Sequence, residues 1–411
     1  MAPHAWLLPL LPRVARAAAA VFYRITVAGV PVPAEGPVIL VANHPNGLLD
    51  PVLVAAVAGR PVRFLAKAPL VADRRIGWLL RAAGSIPVFR QQDDPSAMGG
   101  NREMFRAAGG VLAGGAALAV FPEGVSHSAP AIAELRTGAA RIALSDPARA
   151  AATIVPVGLV LRDKERFRSE ALVVIGHAVA WDDLRVRSSD DPATVRALTA
   201  RIDAALRTVT LNLEQWEDAP LIECAEAVYV AERSASTEPA TRLERLRVAA
   251  RVLSEVRNDR AWAPLFIAIR RHAQALAGLH LSPTDLHAAT DFGTATRWAL
   301  RRVPLALLPV LLIGAASHLA WWPPYRLTGL LAAQIPGTSD VRATYKFGVG
   351  AVLYALWTVL VAIIVGSAVS PAAGFATLLL LPALGVAGLW IREHYRAAWL
   401  DARRFFLLRR H

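Results

Sequence analysis

The chain has 411 residues, 55% hydrophobic and 19% charged, with a formal net charge of +13 and a mean hydropathy of +0.39, which is room for one large domain or two to three ordinary ones and more apolar than soluble proteins usually are. The lone Cys224 excludes an intrachain disulfide and a cysteine metal cluster, and it reads as a buried helix residue. The positive charge is nearly all arginine, with lysine only at Lys67, Lys164 and Lys346; guanidinium suits phosphate and anionic membrane surfaces, and with no nucleic-acid motif or aromatic-interleaved basic stretch, nucleic acid is not an expected partner.

In chain order, residues 1–34 come first. Trp6, Leu7, Leu10, Leu11, Val14, Val21 and Phe22 are apolar, while Arg13, Arg16 and Arg24 fall on a similar side of a helix begun near Pro12. This predicts an interfacial N-terminal helix. No Lys or Arg precedes the apolar run, which disfavours a signal peptide.

Residues 35–180 alternate strand-like and helix-like stretches. The strands are expected at Val38–Ala42, Val62–Leu65, Ser85–Phe89, Ala117–Phe121, Thr153–Val160 and Ala171–Ile175. Helices are expected between them, at Ala72–Ala83, Asn101–Leu112 and Thr137–Leu144. The alternation predicts an α/β domain. Residues 181–300 read as a helical appendage, with Asp190-Asp191-Pro192 capping a helix to about Leu211 and further helices at Pro220–Ser234, Ala240–Asn258 and Trp262–Leu279.

Residues 301–411 form a membrane region. Stretches 347–369 and 371–391 are long enough to cross a bilayer, and Ser370-Pro371 joins them as a hairpin. The stretch 304–322 is shorter and ends Trp321-Trp322-Pro323-Pro324. Arg297, Arg301 and Arg302 precede it, Arg326, Arg342 and Lys346 follow it, and Arg392, Arg396, Arg403, Arg404, Arg409 and Arg410 follow the last span. Positive residues favour the cytoplasmic side, and a re-entrant first segment with two true spans keeps all of them there. The expectation is a multi-pass membrane protein with its α/β domain on the cytoplasmic face.

Chemistry is concentrated where apolar strands end. Val38–Ala42 runs into Asn43-His44-Pro45-Asn46-Gly47-Leu48-Leu49-Asp50. Imidazole suits proton transfer near neutral pH, and a carboxylate on one ring nitrogen fixes the tautomer. Six positions on a regular helix turn through about 240°, so an unbroken helix would separate His44 from Asp50. The turn residues between them can bring them together. Asp50-Pro51 also reads as an N-cap followed by Pro at the first helical position. A second stretch, Gly84 to Arg90, presents a guanidinium at a strand end, where it could grip phosphate or merely be solvated. A third, Phe121-Pro122-Glu123-Gly124-Val125-Ser126-His127, pairs a carboxylate with a glycine that permits close backbone approach, or is a surface turn. Arg136 and the helix start at Thr137-Gly138 follow soon after. A fourth, Ile154-Val155-Pro156-Val157, is a core strand or the lining of an acyl channel.

Asn43-His44 with Asp50, Gly84 with Arg90, Phe121-Pro122-Glu123-Gly124 and Ile154-Val155-Pro156-Val157 fall in the order and spacing of the four motif blocks of the phospholipid/glycerol acyltransferase superfamily, which residues 35–180 resemble. The common pattern has four residues between His and Asp, and this chain has five. The longer form, with Asn43-His44-Pro45-Asn46, Leu135-Arg136-Thr137-Gly138-Ala139-Ala140 and Phe167-Arg168-Ser169, is similar to the fungal-type glycerol-3-phosphate and dihydroxyacetone-phosphate acyltransferase branch. Val125-Ser126-His127 stands where most of the superfamily has Thr-Arg or a similar pair.

The resemblance implies a mixed sheet flanked by helices and an O-acyltransferase of phospholipid biosynthesis. The acyl group would pass from acyl-CoA or acyl-ACP, as co-substrate, to a hydroxyl of glycerol 3-phosphate, dihydroxyacetone phosphate or 1-acylglycerol 3-phosphate. It implies His44 and Asp50 as the catalytic pair, and Arg90, Glu123 and Gly124 on the phosphate, with Arg136 or Arg168 replacing the missing contact. Asn43, Asn46, Gly47, Gly84 and Pro156 would support the turn and acyl channel. No bound cofactor and no metal are expected. The other reading is a membrane lipid-binding or scaffold protein with a degenerate acyltransferase domain, against which stands the presence of every His, Asp, Arg and Glu of the blocks.

Overall fold

The computed structural model describes residues 6–89, 101–145, 152–185, 191–287, 291–302, 308–335 and 339–409. The chain divides into two compact units, one made of Met1–Trp216, Thr237–Arg251 and Thr338–Thr344, the other of Glu217–Ser236, Val252–Gly337 and Tyr345–His411.

The first unit is built on a seven-stranded sheet in the order β1-β7-β6-β2-β5-β3-β4. Its strands are β1 Tyr23–Gly29, β2 Val38–Ala42, β3 Val62–Lys67, β4 Ile86–Val88, β5 Ala117–Val120, β6 Thr153–Leu161 and β7 Ser169–Ile175. Neighbours pair in parallel except β6 with β7, which run antiparallel from Val157↔Ile175 to Leu161↔Ala171. The expected mixed sheet flanked by helices is therefore present. Central strands β2 and β5 are buried along their whole length. That is why they read as unbroken apolar runs rather than as alternation.

Helices α1 Leu11–Phe22, α2 Leu49–Val57, α3 Ala68–Ala72, α4 Gly77–Ala82, α5 Asn101–Ala113 and α6 Gly138–Leu144 lie along this part of the chain. The N-terminal expectation needs correction. The helix stops at Phe22, and Tyr23–Gly29 is an edge strand in parallel register with β7. Helix α1 buries Ala15, Ala19 and Phe22, and the Arg16 Nε donates to the Ala56 carbonyl of α2 at 3.2 Å. The helix expected over Ala72–Ala83 is formed only over Gly77–Ala82; Ala72 ends α3, and Asp73 follows it, its carboxylate accepting from the amides of Arg75 and Ile76.

The boundary expected at residue 180 also moves. Helix α7, Pro192–Val209, is capped by Asp191, whose carboxylate accepts from the amides of Ala193 and Thr194. It inserts Val195, Leu198, Ile202, Leu206 and Val209 into the same core as Ile39, Val41, Leu118 and Ile154. Leu243 of α9, Pro239–Val256, joins that core too. A Cβ on Gly158 would fall 1.8 Å from the Val209 carbonyl oxygen, so β6 carries glycine where the end of α7 crosses it.

The second unit is helical. It contains α8 Ala219–Arg233, with Cys224 buried, then α10 Ala263–Leu279, α11 Phe292–Arg302, α12 Leu308–Ala333 and α14 Pro371–Arg409, and most of α13 Ser339–Ala368. Two stretches, Val341–Ala368 and Pro371–Arg409, are long and apolar enough to cross a membrane. Their large side chains face outward, as with Leu356 at 60% and Leu379 at 69% exposure, which a soluble core helix would not show. Helix α12 differs from the expected stretch 304–322, since it runs on through Pro323 and Pro324 to Ala333. Residues 303–307 lie outside the described ones. A proline removes one helix hydrogen bond and frees a carbonyl one turn back. The Ala320 carbonyl accepts instead from the Trp357 indole at 2.9 Å, and Trp321 stacks on Tyr354 with ring centroids 5.2 Å apart.

Candidate active site

The site forms at the carboxyl ends of the adjacent parallel strands β2, β5 and β6, where α/β folds usually bind ligands. Strand β2 runs from Ala42 into Asn43. The Asn43 side-chain amide donates to the Leu159 carbonyl at 3.0 Å and accepts from the Leu159 amide at 2.7 Å. It acts as one more peptide unit, extending the β2–β6 ladder past Ala42↔Val157 and fixing where His44 leaves the sheet.

Pro45, Asn46 and Gly47 then bend the chain into α2. Asp50 is the second helical residue and not the cap. The Asn46 Oδ1 accepts from the Leu49 amide at 3.2 Å and does a cap's work. Pro51 falls in the first turn, where its missing N–H leaves nothing unsatisfied. The bend brings His44 Nδ1 to 2.9 Å from Asp50 Oδ2, and the Asn46 amide donates to the same oxygen at 2.5 Å. This hydrogen bond assigns the proton to Nδ1 and the lone pair to Nε2. His44 Nε2 has no hydrogen bond among the described residues. Asp50 is fully buried, and its Oδ1 has no hydrogen-bond partner among them. Burial pushes the Asp50 carboxyl up to about 6. The His44 hydrogen bond and charge, the Asn46 amide and the Lys164 charge pull the other way.

The loop after β5 grips His44. The Phe121 ring stacks on the imidazole, with centroids 4.3 Å apart and planes 18° from parallel. Glu123 is buried, at 3% exposure. Its Oε1 accepts from the His44 amide at 2.6 Å, and its Oε2 accepts from the Ala133 amide at 2.7 Å and pairs with His127 Nε2. The His127 amide donates to the His44 carbonyl at 3.2 Å. Gly124, at φ +77°, makes the tight turn that aims Glu123 inward, its amide donating to the Phe121 carbonyl at 3.0 Å. Arg136 donates its backbone N–H to Pro122 at 2.7 Å, so its side chain lies against Gly124. That side chain is exposed, and its guanidinium has no hydrogen bond or ion pair among the described residues.

The other expected residues are placed as follows. Arg168, at φ +62°, directs its guanidinium to the carbonyls of Ala20 and Tyr23 and its amide to that of Phe22, tying the β7 start to the α1–β1 junction. Gly84 closes α4, its amide donating to Arg81 and that of Ser85 to Leu80. Pro156 sits within buried β6 opposite Val41, and its carbonyl accepts from the Gly176 amide at 2.9 Å. Gly47 is exposed, and a Cβ there would meet the hydroxyls of Thr344 and Ser126 at 3.6 and 3.7 Å. Arg90 lies outside the described residues.

Three participants carry no motif of their own. Lys164 donates to the His127 carbonyl at 3.2 Å and to Ser128 Oγ at 3.3 Å. Tyr23 donates to the Lys164 carbonyl at 2.7 Å, and burial, with Asp50 and Asp163 nearby, raises its pKa. Thr344 donates to Asn46 Oδ1 at 3.0 Å and accepts from the Leu48 amide at 3.3 Å. Among the described residues no group of three His, Cys, Asp or Glu side chains could hold a metal ion.

A tautomer-fixed imidazole at the end of a central strand, with one nitrogen free of hydrogen bonds among the described residues, has the geometry a general base would need. Residues 24–160 match the family model Acyltransferase. A stretch of 135 residues is 30% identical to Glycerol-3-phosphate O-acyltransferase 2 of Saccharomyces cerevisiae, and it takes up 31% of this chain but 18% of the yeast protein. Among solved structures, the 1-acyl-sn-glycerophosphate (LPA) acyltransferase PlsC of Thermotoga maritima is similar at 20% identity and a TM-score of 0.37, covering 49% of this chain and 78% of that one. Residues 24–160 thus match an acyltransferase domain, and the chain spans less than a fifth of the yeast relative's length.

Proposed function

We propose that this protein is a membrane-bound glycerolipid O-acyltransferase of phospholipid biosynthesis, moving a fatty acyl group from acyl-CoA or acyl-ACP to a hydroxyl of a glycerol-type phosphate ester. The observation that carries this is the 2.9 Å contact from His44 Nδ1 to Asp50 Oδ2, with Nε2 free of hydrogen bonds among the described residues. His44 Nε2 takes the proton of the acceptor hydroxyl as its oxygen bonds to the thioester carbonyl carbon. The tetrahedral oxyanion needs hydrogen-bond donors other than the amides of His44, Asn46, Leu48 and Leu49, which are already given to Glu123, Asp50, Thr344 and Asn46. On collapse the carbon–sulfur bond breaks, and the thiolate leaves with the proton held on Nε2. Asp50 keeps the ring in the required tautomer and balances its transient charge. No metal or covalent enzyme intermediate enters this sequence.

Arg136 is the cation we assign to the acceptor phosphate, on the grounds of its exposure and its place beside Gly124. In this reading Glu123 holds the His44 backbone and Arg168 holds β1, while Arg90 retains the role implied by its motif. The five-residue spacing between His44 and Asp50 and the yeast relative's name support glycerol 3-phosphate or dihydroxyacetone phosphate ahead of 1-acylglycerol 3-phosphate. The outward apolar faces of α13 and α14 support membrane attachment, and the arginine-rich flanks support a cytoplasmic active site.

The test is thiol release by the purified full-length chain from an acyl thioester, with each of the three acceptors in turn. His44→Ala should lower the rate by at least about 10²-fold, the lower end of what a positioned base contributes. Undiminished turnover in that variant, or no turnover by the wild-type chain with any acceptor, rejects the reading.

A further inference from the structure

The bend that carries the dyad is held from a distant part of the sequence. Residues 338–344 belong to the compact unit that contains the sheet. Arg342 and Thr344 of this segment engage it. Arg342 pairs with Glu165 in the loop between β6 and β7, with Nε and Nη2 at 3.0 and 2.9 Å from one carboxylate oxygen. Ala343 is fully buried. The Thr344 hydroxyl closes on the bend itself, donating to Asn46 Oδ1 at 3.0 Å and accepting from the Leu48 amide at 3.3 Å.

Asn46 is the link to the chemistry. It is fully buried. Its backbone N–H donates to the Asp50 oxygen that receives His44, and its side-chain oxygen accepts from both Leu49 and Thr344. A relay therefore runs from Thr344 through Asn46 to Asp50 and His44. Among the described contacts of the bend, only Thr344 lies outside residues 1–216. We propose that Thr344 is a positioning residue for the dyad, acting through Asn46, so that the acyltransferase site is completed by a segment far downstream of the matched domain. This rests on the acyl-transfer reading above.

A side chain of the same shape without the hydroxyl separates hydrogen bonding from packing. Thr344→Val removes both bonds, leaves the Leu48 amide to water, and lets the Asn46 side chain rotate. Thr344→Ser keeps the hydroxyl. With the purified full-length chain, Thr344→Val should lower kcat about tenfold, the loss of one to two positioned hydrogen bonds. KM for donor and acceptor should change by less than about twofold, because the hydroxyl is taken up by Asn46 and the Leu48 amide. Thr344→Ser should stay near wild type. Hydrogen exchange gives a readout that needs no turnover, since amides 46–49 should exchange faster in Thr344→Val than in the wild-type chain or Thr344→Ser.

Wild-type kcat and unaltered exchange in Thr344→Val would overturn the inference, as would an equal loss in Thr344→Ser. A wild-type chain that turns over no acceptor, yet shows faster exchange only in Thr344→Val, sinks the acyl-transfer reading and leaves the structural relay supported.

Discussion

His44 is constrained at every part except one. Its backbone amide goes to Glu123, its carbonyl to His127, its ring face to Phe121 and its Nδ1 to Asp50. What is left is Nε2, and an atom defined by the fixing of all its neighbours is what a general base needs. The pH dependence follows from Asp50. Its folded-state pKa, pushed up to about 6 by burial, lies above its ordinary value of 3.8. Between those values the folded chain holds a proton that the unfolded chain has lost. The resulting stabilisation is full below 3.8 and is gone once the pH has risen through about 6. Turnover runs in the opposite direction, because a protonated Asp50 cannot support an imidazolium. Activity should therefore rise about tenfold per unit on the acid side and level off above about 6, the value to which burial pushes Asp50. A pH–rate profile of kcat/KM checks this, and a flat profile between pH 5 and 8 would contradict it. Much of this was legible in the sequence. A strand ending in His, turn residues and then Asp is a local pattern, and local geometry decides it. The role of Glu123 was not legible, because nothing in Phe121-Pro122-Glu123-Gly124 says whether the carboxylate faces solvent or the His44 amide. Burial alone settles that.

At the scale of elements, β6 is the reference that the site is measured from. Asn43 pairs with Leu159 on one side, and Gly158 meets the end of α7 on the other. Gly158→Ala would drive its Cβ to 1.8 Å from the Val209 carbonyl oxygen. Backbone cannot swing aside as a flexible side chain can. The expected cost is about 1–3 kcal/mol, typical of overpacking a full core. A lower thermal midpoint than wild type checks it, and an unchanged midpoint would show that α7 yields freely. The strands of this core were readable as apolar runs bounded by turns. Strand β1 was not, because Tyr23–Gly29 follows an alanine-rich helix without any breaker and alternates only weakly. Its identity comes from its partner β7, and pairing is invisible to a reading of one segment at a time. The break between α3 and α4 was missed for a related reason, since Asp73 acts by capping amides two and three residues on.

For the whole molecule, composition located the apolar C-terminal helices but not the grouping of the chain. Residues 1–216, 237–251 and 338–344 gather into one unit around the sheet. A boundary drawn where charge and hydropathy change, at 180, cuts across α7 and its core contacts. The two long helices expose large apolar side chains along their length. Faces of that kind call for lipid, detergent or another protein surface to cover them. The chain should remain in the membrane pellet after alkaline carbonate extraction and leave it with detergent. Recovery in the carbonate supernatant would show that these faces are covered by protein.

The hydrogen bond between Asn46 and Thr344 also orders events in time. The two residues are 298 positions apart. At ordinary synthesis rates of about 5–20 residues per second, about 15–60 s separate their making. Strands β1 to β7 are complete long before the closing hydroxyl exists. With Thr344 positioning the dyad as proposed above, a nascent domain can assemble its sheet before the contact that steadies the bend is made, and that contact waits on the synthesis of residue 344.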